Sequence, residues 1–512
     1  MKPKTLLLIA MMLRIPVQAQ SPMDILWDRT YGGANADAGT AMCATGNGGL
    51  VIVGWSESVS AQVQADNGQQ DLWIVRVDAD GNFLWHRTYG GSGNETSQAV
   101  GVAENGDIYV VANTQSNDGD FGPALGTDDL VFLRLSDDGE LLAQSRWGGP
   151  QGAAATDLLV LPNGECIVVG GKLMLPSNNP PHIDAFLIRA NEMGEVILEE
   201  TYGGSEYDIA LAITNGPSGT LVMVGETRSN DGDVAVNMGL GDGWMLSVTL
   251  DGQLIEERTF GGEFNDQLSD VTMTSDGGMI VTGYYSYPML ISGSMQPSTL
   301  VVAEKLDANG NSEWIKEYGG TNGDYGWLVK EHPSGGYLLY AYAYSNDGDA
   351  PPSVMQVDTW LLRLDADGEL LWHRPFGGPW SFDSVSGMLL TEDGGVLLLA
   401  VVETDNSDMT TYLGGLDTWL IRLGPEVVGV DEHRSSLASM VPDPDGSGFN
   451  VQLFDGARTR SIEVRDASGR LVRSIPTTSN NTHVDLKSSP TGVYIVSVFT
   501  GMERSVFRFM RR

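Results

Sequence analysis

The sequence predicts an all-β chain: a seven-bladed β-propeller closed by an N-terminal strand, followed by a small C-terminal immunoglobulin-like β-sandwich. Three observations predict it. An aromatic-Gly-Gly tripeptide recurs at Tyr31, Tyr89, Trp147, Tyr202, Phe260, Tyr318 and Phe376, at spacings of 58, 58, 55, 58, 58 and 58 residues. Each unit reads as four short apolar runs separated by Gly-bearing turns, with no sustained helical period. The last unit stops after Asp417 to Leu423 without its fourth run, and an unattached copy of that run, Ile25 to Thr30, stands near the start of the chain.

The elements follow in order. Lys2 and Lys4 precede the apolar stretch Leu6 to Leu13, and Val17-Gln18-Ala19 places small residues at −3 and −1 of a cut after Ala19. Residues 1–19 are therefore expected to be a secretory signal peptide. No later stretch reaches the roughly 18–20 uncharged apolar residues of a spanning helix, so no transmembrane segment is expected. Residues 25–424 form the expected propeller. In its first unit the strands are Gly39 to Ala44, Leu50 to Trp55, Leu72 to Val77 and Phe83 to Thr88, joined at Asn47-Gly48-Gly49 and Asp78-Ala79-Asp80-Gly81. Glycine there permits the positive φ of tight hairpins. One such unit cannot bury both its faces, so the copies are expected to stack around an axis, with an open solenoid as the alternative. The Pro-, Ser-, Asp- and Gly-bearing residues 425–447 read as a linker. Residues 448–512 resume alternating runs at Phe449 to Phe454, Ser461 to Arg465, Leu471 to Ile475, Thr482 to Leu486, Gly492 to Phe499 and Ser505 to Met510, which suits a small β-sandwich.

Composition excludes some functions. The 512 residues carry 67 acids against 29 bases, a net charge of −38, so nucleic acid is not an expected partner. Two cysteines cannot build a disulfide framework. The C-terminal segment differs in sign: from Asp455 to Arg512 it has ten basic and five acidic residues.

Two resemblances sharpen this. Tyr89-Gly-Gly-Ser-Gly-Asn-Glu, then Glu104-Asn-Gly-Asp-Ile-Tyr-Val, then Ser116-Asn-Asp-Gly-Asp resembles the bacterial β-propeller repeats of the SBBP type. That resemblance spans Ile25 to Leu423 and implies an extracellular propeller, without implying an activity. Ile462-Glu-Val-Arg-Asp466-Ala-Ser-Gly469-Arg-Leu-Val, then Gly492-Val-Tyr494-Ile-Val-Ser-Val, then the basic end Arg508 to Arg512 resembles the type A sorting domain of type IX secretion. Pro442-Asp443-Pro444 stands where that family usually has Pro-Asn-Pro, and Arg508 where it has a terminal Lys. The resemblance implies passage through the type IX machinery to the cell surface or the medium, with Asp466, Gly469, Gly492 and Tyr494 as the sorting motif.

Several residue sets are candidates for chemistry. Ser-Asn-Asp-Gly-Asp recurs at Ser116 to Asp120, Ser229 to Asp233 and Ser345 to Asp349. Its Asn117, Asp118, Asp120, Asn230, Asp231, Asp233, Asn346, Asp347 and Asp349 offer the hard oxygens Ca²⁺ prefers, though the spacing is not that of an EF-hand. The alternative is a polar turn built by Asn, Asp and Gly. Acids also follow the aromatic by six positions, at Asp37, Glu95, Asp208, Asp266 and Asp324. They form either a carboxylate ring at the channel mouth or backbone staples between blades. Asp71, Asp129, Asp184, Asp242, Asp358 and Asp417 open the third run of their units, where the fifth copy has Leu300. Asp78/Asp80 and Asp365/Asp367 sit in hairpin turns, and His86 and His373 are expected on strand surfaces. Cys43 and Cys166 lack a partnering base. No phosphate loop, zinc motif or nucleophile elbow is present. The function expected is a monomeric, non-enzymatic scaffold at the cell surface or in the medium, binding a glycan or protein partly through exposed tyrosine and tryptophan. The alternative is a polysaccharide hydrolase or lyase, which would need acids that break the repeat.

Overall fold

The computed structural model describes residues 23–60, 69–149, 151–176, 180–291, 294–350, 358–376, 384–403, 409, 411–425, 438–443, 447–453, 461–466, 470–476, 481–490, 492–500 and 503–511. The expected signal peptide lies outside them. The chain divides into two compact units, Met1–Pro425 and Glu426–Arg512.

In the first unit the described strands form seven four-stranded antiparallel sheets. Blade 1 comprises Asp37–Ala44, Leu50–Ser56, Asp71–Val77 and Phe83–Tyr89, in sequence order from the inside out. The innermost strands of blades 2 to 7 are Glu95–Val102, Ala153–Val160, Asp208–Asn215, Gln267–Met273, Asp324–Glu331 and Ser384–Leu390. Each touches the next in order, and that of blade 7 touches that of blade 1, so the sheets close into a ring. This is a β-propeller, not an open solenoid. The closure is the one expected: Ile25–Tyr31 pairs antiparallel with Asp417–Leu423 and becomes the outer strand of blade 7. Trp419 Nε1 donates to Asp28 Oδ2 at 3.0 Å and Gly424 N to the Asp24 carbonyl at 2.8 Å.

The core lies between the blades. The second and third strands of each are apolar on both faces, as Leu50-Val-Ile-Val and Leu72-Trp-Ile-Val show, because each face meets a neighbouring sheet. Trp73, Trp244, Trp360 and Trp419 occupy one repeated third-strand position and are fully buried. Each inner strand carries a bulge at its middle, such as Thr40, Ser269 and Trp327. Blade 5 departs from the repeat: Met279–Ile291 and Ser294–Leu306 form a long hairpin of 13 residues a side.

The second unit is a β-sandwich. One sheet orders Ala438–Pro442, Gly448–Leu453 and Asn481–Asp485, and the other Leu471–Pro476, Ser461–Asp466, Gly492–Thr500 and Glu503–Arg511. Phe449, Val451 and Val484 from the first sheet meet Ile462, Val464, Tyr494 and Val496 from the second. The expected linker 425–447 is thus too long. Its Ala438–Pro442 is a strand, paired with Phe449–Leu453, and Met440 packs against the sandwich core. The proline that suggested a break only ends the strand.

Candidate functional site

The repeated acids prove to be staples at the junctions between blades. Asp37, Glu95, Asp208, Asp266 and Asp324 are fully buried, so they do not form an exposed ring. Each begins or directly precedes an inner strand and accepts from the second glycine of the preceding aromatic-Gly-Gly: Gly33 N at 2.7 Å, Gly91 N at 3.0 Å, Gly204 N at 2.8 Å, Gly262 N at 2.6 Å and Gly320 N at 2.8 Å. Hydroxyls complete the set. Asp208 also accepts from Thr227 Oγ1 and from Ser229 Oγ at 2.7 Å. Asp324 accepts likewise from Ser345 Oγ at 2.7 Å.

The Ser-Asn-Asp-Gly-Asp segments clamp the same loops. Asp118 Oδ1 accepts from Ser92 N at 2.7 Å, Asp231 Oδ1 from Ser205 N at 2.8 Å, and Asp347 Oδ1 from Thr321 N at 2.7 Å. Asp120, Asp233 and Asp349 donate their own N–H to the carbonyls of Gly90, Gly203 and Gly319. Between the two aspartates, Gly119, Gly232 and Gly348 hold φ of 67°, 65° and 69°, a left-handed turn that favours glycine. The nine residues named for Ca²⁺ fall in three separate turns. Among the described residues no group of three or more His, Cys, Asp or Glu is arranged to hold a metal.

These contacts explain the tripeptide. A Cβ on Gly90 would overlap Asp71 Oδ1 and crowd Glu95 Oε2, and a Cβ on Gly91 would overlap Ser116 and Asp118. The aromatic reaches forward: Tyr31, Tyr202 and Tyr318 donate their hydroxyls to the carbonyls of Gly81, Gly252 and Gly368 in the next blade.

The strand-opening aspartates face the staples across the first glycine. Asp417 Oδ1 and Asp37 Oδ2 converge at Gly32, and Asp184 Oδ1 and Asp208 Oδ2 at Gly203. Burial pushes Asp184 and Asp242 up to about 6, with Asp208 and Asp233 adding to the first and Asp266 to the second. Burial also raises Asp417, and Asp37 adds to it. Two junctions vary. Where the staple is Ala153, Arg146 Nε binds Asp129 Oδ2 at 2.7 Å. Where Leu300 replaces the aspartate, its methyl sits at the same glycine, Gly319, beside Asp324.

The remaining candidates resolve simply. Asp78 and Asp365 accept from backbone N–H groups two and four residues on, which is turn chemistry. His86 and His373 are half-buried rather than at the surface, and burial lowers both. Burial raises Cys43 and pushes Cys166 up to about 12, which makes neither a nucleophile. In the sandwich Tyr494 is buried and donates to the Pro490 carbonyl at 2.6 Å. Asp466 pairs with Tyr494 and Gly492 with Arg511, while Gly469 lies outside the described residues.

Sequence reasoning missed two features. One is a cationic ladder: Arg76, Arg134, Arg189, Lys305, Arg363 and Arg422 share one third-strand position. Arg76, Arg134 and Arg189 reach Asp137, Glu192 and Asp251 of the next blade. The other is an aromatic cluster in blades 4 to 6, at the end of the ring where inner strands begin. Tyr284 and Tyr325 meet edge to face at 4.9 Å between centroids, Tyr325 and Tyr344 at 5.9 Å, and Trp327 and Tyr342 at 6.0 Å. Trp327 is 40% exposed and Tyr344 41%. Trp327 is the bulged residue of its strand, and a bulge re-aims a side chain. At one edge Arg228 lies over the Tyr207 ring at 5.1 Å and binds Glu226 at 2.7 Å. The inner strands of two blades carry a further acid at one shared position, where other copies have Ala41, Ala99, Ala212 and Leu328. Asp157 accepts from Leu158 N and from Ile213 N of the next blade, and Asp270 likewise from Val271 N and Val329 N. Lys330 binds Asp270 at 3.1 Å. Burial pushes Asp157 up to about 6; Asp270 adds to this and Lys330 opposes it.

Ring and tail together define an exported β-propeller protein. Residues 439–510 match the family model of the secretion system C-terminal sorting domain, so the protein leaves by type IX secretion for the cell surface or the medium. No helix among the described residues is long and apolar enough to cross a membrane. The chain is also similar to the regulatory protein FlaEY of Caulobacter vibrioides, 24% identical over 249 residues that cover 44% of this chain and 26% of that protein. The match thus spans about a quarter of that relative's length. Similar solved structures include the Neurospora crassa Pan2 WD40 domain, at TM-score 0.44 and 10% identity over 81% of this chain and 99% of that one. Another is polysaccharide lyase Uly1, at TM-score 0.39 and 10% identity over 77% and 91%. At those scores they add nothing to the sheet order and ring closure on which the fold rests.

Proposed function

We propose that the protein is a non-enzymatic scaffold, monomeric and exported, that binds an extracellular glycan or protein at the aromatic end of blades 4 to 6. The observation that carries this reading is the exposure there of Trp327 and Tyr344 within a group of touching rings. Clustered, partly exposed aromatics on an otherwise polar surface mark interaction sites, because exposing them to water is unfavourable. The cluster also breaks the repeat. Tyr325 stands where other copies have Ala38, Thr96, Ala154, Ile209 and Gln267, and Trp327 where they have Thr40, Gln98, Thr156, Leu211 and Ser269.

Asp157 and Asp270 favour the hydrolase or lyase reading to the extent that they too break the repeat. Their carboxylates, however, are held by backbone N–H groups that tie adjacent inner strands, which supports a structural role. Incubation with extracellular polysaccharides separates the readings: bound ligand recovered intact supports the scaffold, whereas cleavage abolished by Asp157→Asn or Asp270→Asn overturns it. On this reading the Ser-Asn-Asp-Gly-Asp turns are clamps. A thermal melt is expected to show the same midpoint in chelator and in millimolar Ca²⁺, and a higher midpoint with Ca²⁺ would assign those turns to the metal.

A further inference from the structure

Resting on the reading of the ring as a binding protein, we propose that the aromatic end of blades 4 to 6 is a subsite for an uncharged glycan. The ring geometry comes first. Tyr284 meets Tyr325 at an interplanar angle of 79°, and Tyr325 meets Tyr344 at 80°. Rings that touch edge to face leave faces uncovered by one another. The C–H face of a pyranose stacks on such a surface, whereas a flat hydrophobic protein patch fits a stepped one poorly.

Polar groups stand beside the rings, as hydroxyl recognition needs. Tyr284 donates its hydroxyl to Gln267 Oε1 at a long 3.4 Å and Gln267 Nε2 donates to Ser269 Oγ at 3.3 Å, which leaves the second amide N–H of Gln267 to a ligand oxygen. Gln267 and Tyr284 are cross-strand partners, as are Tyr325 and Tyr342, so strand pairing fixes both positions. A site on paired strands is preorganised, which lowers the ordering cost of binding.

Charge decides the class of glycan. The chain carries −38, and Arg228, the described cation beside the rings, is already bound to Glu226 at 2.7 Å. Uronate or sulfate groups would meet a net negative field, and the described cation beside the rings already has its carboxylate partner. Neutral hexoses and N-acetylhexosamines escape that penalty.

The test uses the full-length protein and defined probes: cello-, manno- and N-acetyl-chito-oligosaccharides against oligogalacturonate and alginate. Titration is expected to show binding of at least one neutral series and none of the uronates. Trp327→Ala and Tyr344→Ala are expected to weaken that binding about tenfold or more. Both residues are exposed, so their melting midpoints are expected to stay at the wild-type value. Binding only to uronates, or neutral binding that both variants leave intact, overturns the subsite while leaving the scaffold reading standing. Cleavage of any probe overturns the scaffold reading itself. No binding of any probe overturns the glycan inference.

Discussion

The acids at the blade junctions and the aromatic rings at the end of blades 4 to 6 lie at the same end of the ring and differ in three respects. The junction residues recur with the repeat, are buried, and meet their donors within the ring. Tyr325, Trp327 and Tyr344 occur once among the aligned copies, are partly exposed, and meet other rings. A residue that most copies carry solves a problem the copies share, namely holding one blade to the next. A residue that one or two copies carry at an exposed position is free to answer to something outside the ring, as proposed above for Trp327 and Tyr344. On the proposed reading, periodicity separates the residues that hold the ring together from those that bind a ligand.

The comparison can be broken most forcibly at a staple. Asp208→Ala would leave the buried N–H of Gly204 and the hydroxyls of Thr227 and Ser229 without their acceptor. A loss of roughly 3–5 kcal/mol is expected in denaturant melts, as for other buried charged hydrogen-bond centres. Gly204→Ala is expected to follow at roughly 1–3 kcal/mol, since its Cβ would overlap Asp231 and Ser229. Tyr318→Phe removes one buried hydrogen bond, from the Tyr318 hydroxyl to the Gly368 carbonyl at 2.6 Å, and is expected to cost about 1 kcal/mol.

A smaller effect is expected with pH. Burial and a facing carboxylate raise Asp184 and Asp242 to about 6 and raise Asp417 as well. A raised folded-state value means that the folded ring holds these protons more tightly than the unfolded chain does. The resulting stability is present in full below the unfolded carboxylate range of about 4 and is lost as pH rises through about 6. The groups facing Asp242 include Asp266; those facing Asp417 include Asp37 and Tyr412; those facing Asp184 are His182, Asp208 and Asp233. The melting midpoint is expected to fall between pH 4 and pH 6.5. Asp242→Asn and Asp417→Asn are each expected to shrink that fall, and Asp242→Leu, which copies Leu300, to do the same. An unchanged pH profile in all three would detach the aspartates from the effect.

The sequence made the ring legible because four strands and a tripeptide repeat at a nearly fixed period, and because Ile25 to Thr30 visibly completes the seventh unit. It left the acids ambiguous between ring and staple, because a linear spacing does not tell whether a carboxylate faces solvent or the glycine four residues before it. The aromatic cluster was harder to see. Tyr284 and Tyr325 lie in different units and meet only because blades 5 and 6 are neighbours. Aligning the copies and marking the positions where only Tyr or Trp departs would have found Tyr325 and Trp327. For the long hairpin of blade 5, the Ser-Gly dipeptide at 292–293 between its strands was the signal that could have found it. In the tail, the strand Ala438–Pro442 was hidden by the two prolines that made the segment read as a linker.

The division between repeated and unrepeated residues is tested most directly by measuring two variants in both ways: Asp208→Ala and Trp327→Ala, each by thermal melt and by titration with a neutral oligosaccharide that the wild type binds. The account predicts that Asp208→Ala lowers the midpoint while the folded fraction binds as wild type does, and that Trp327→Ala loses binding at an unchanged midpoint. A Trp327→Ala protein that melts early yet binds normally would contradict it.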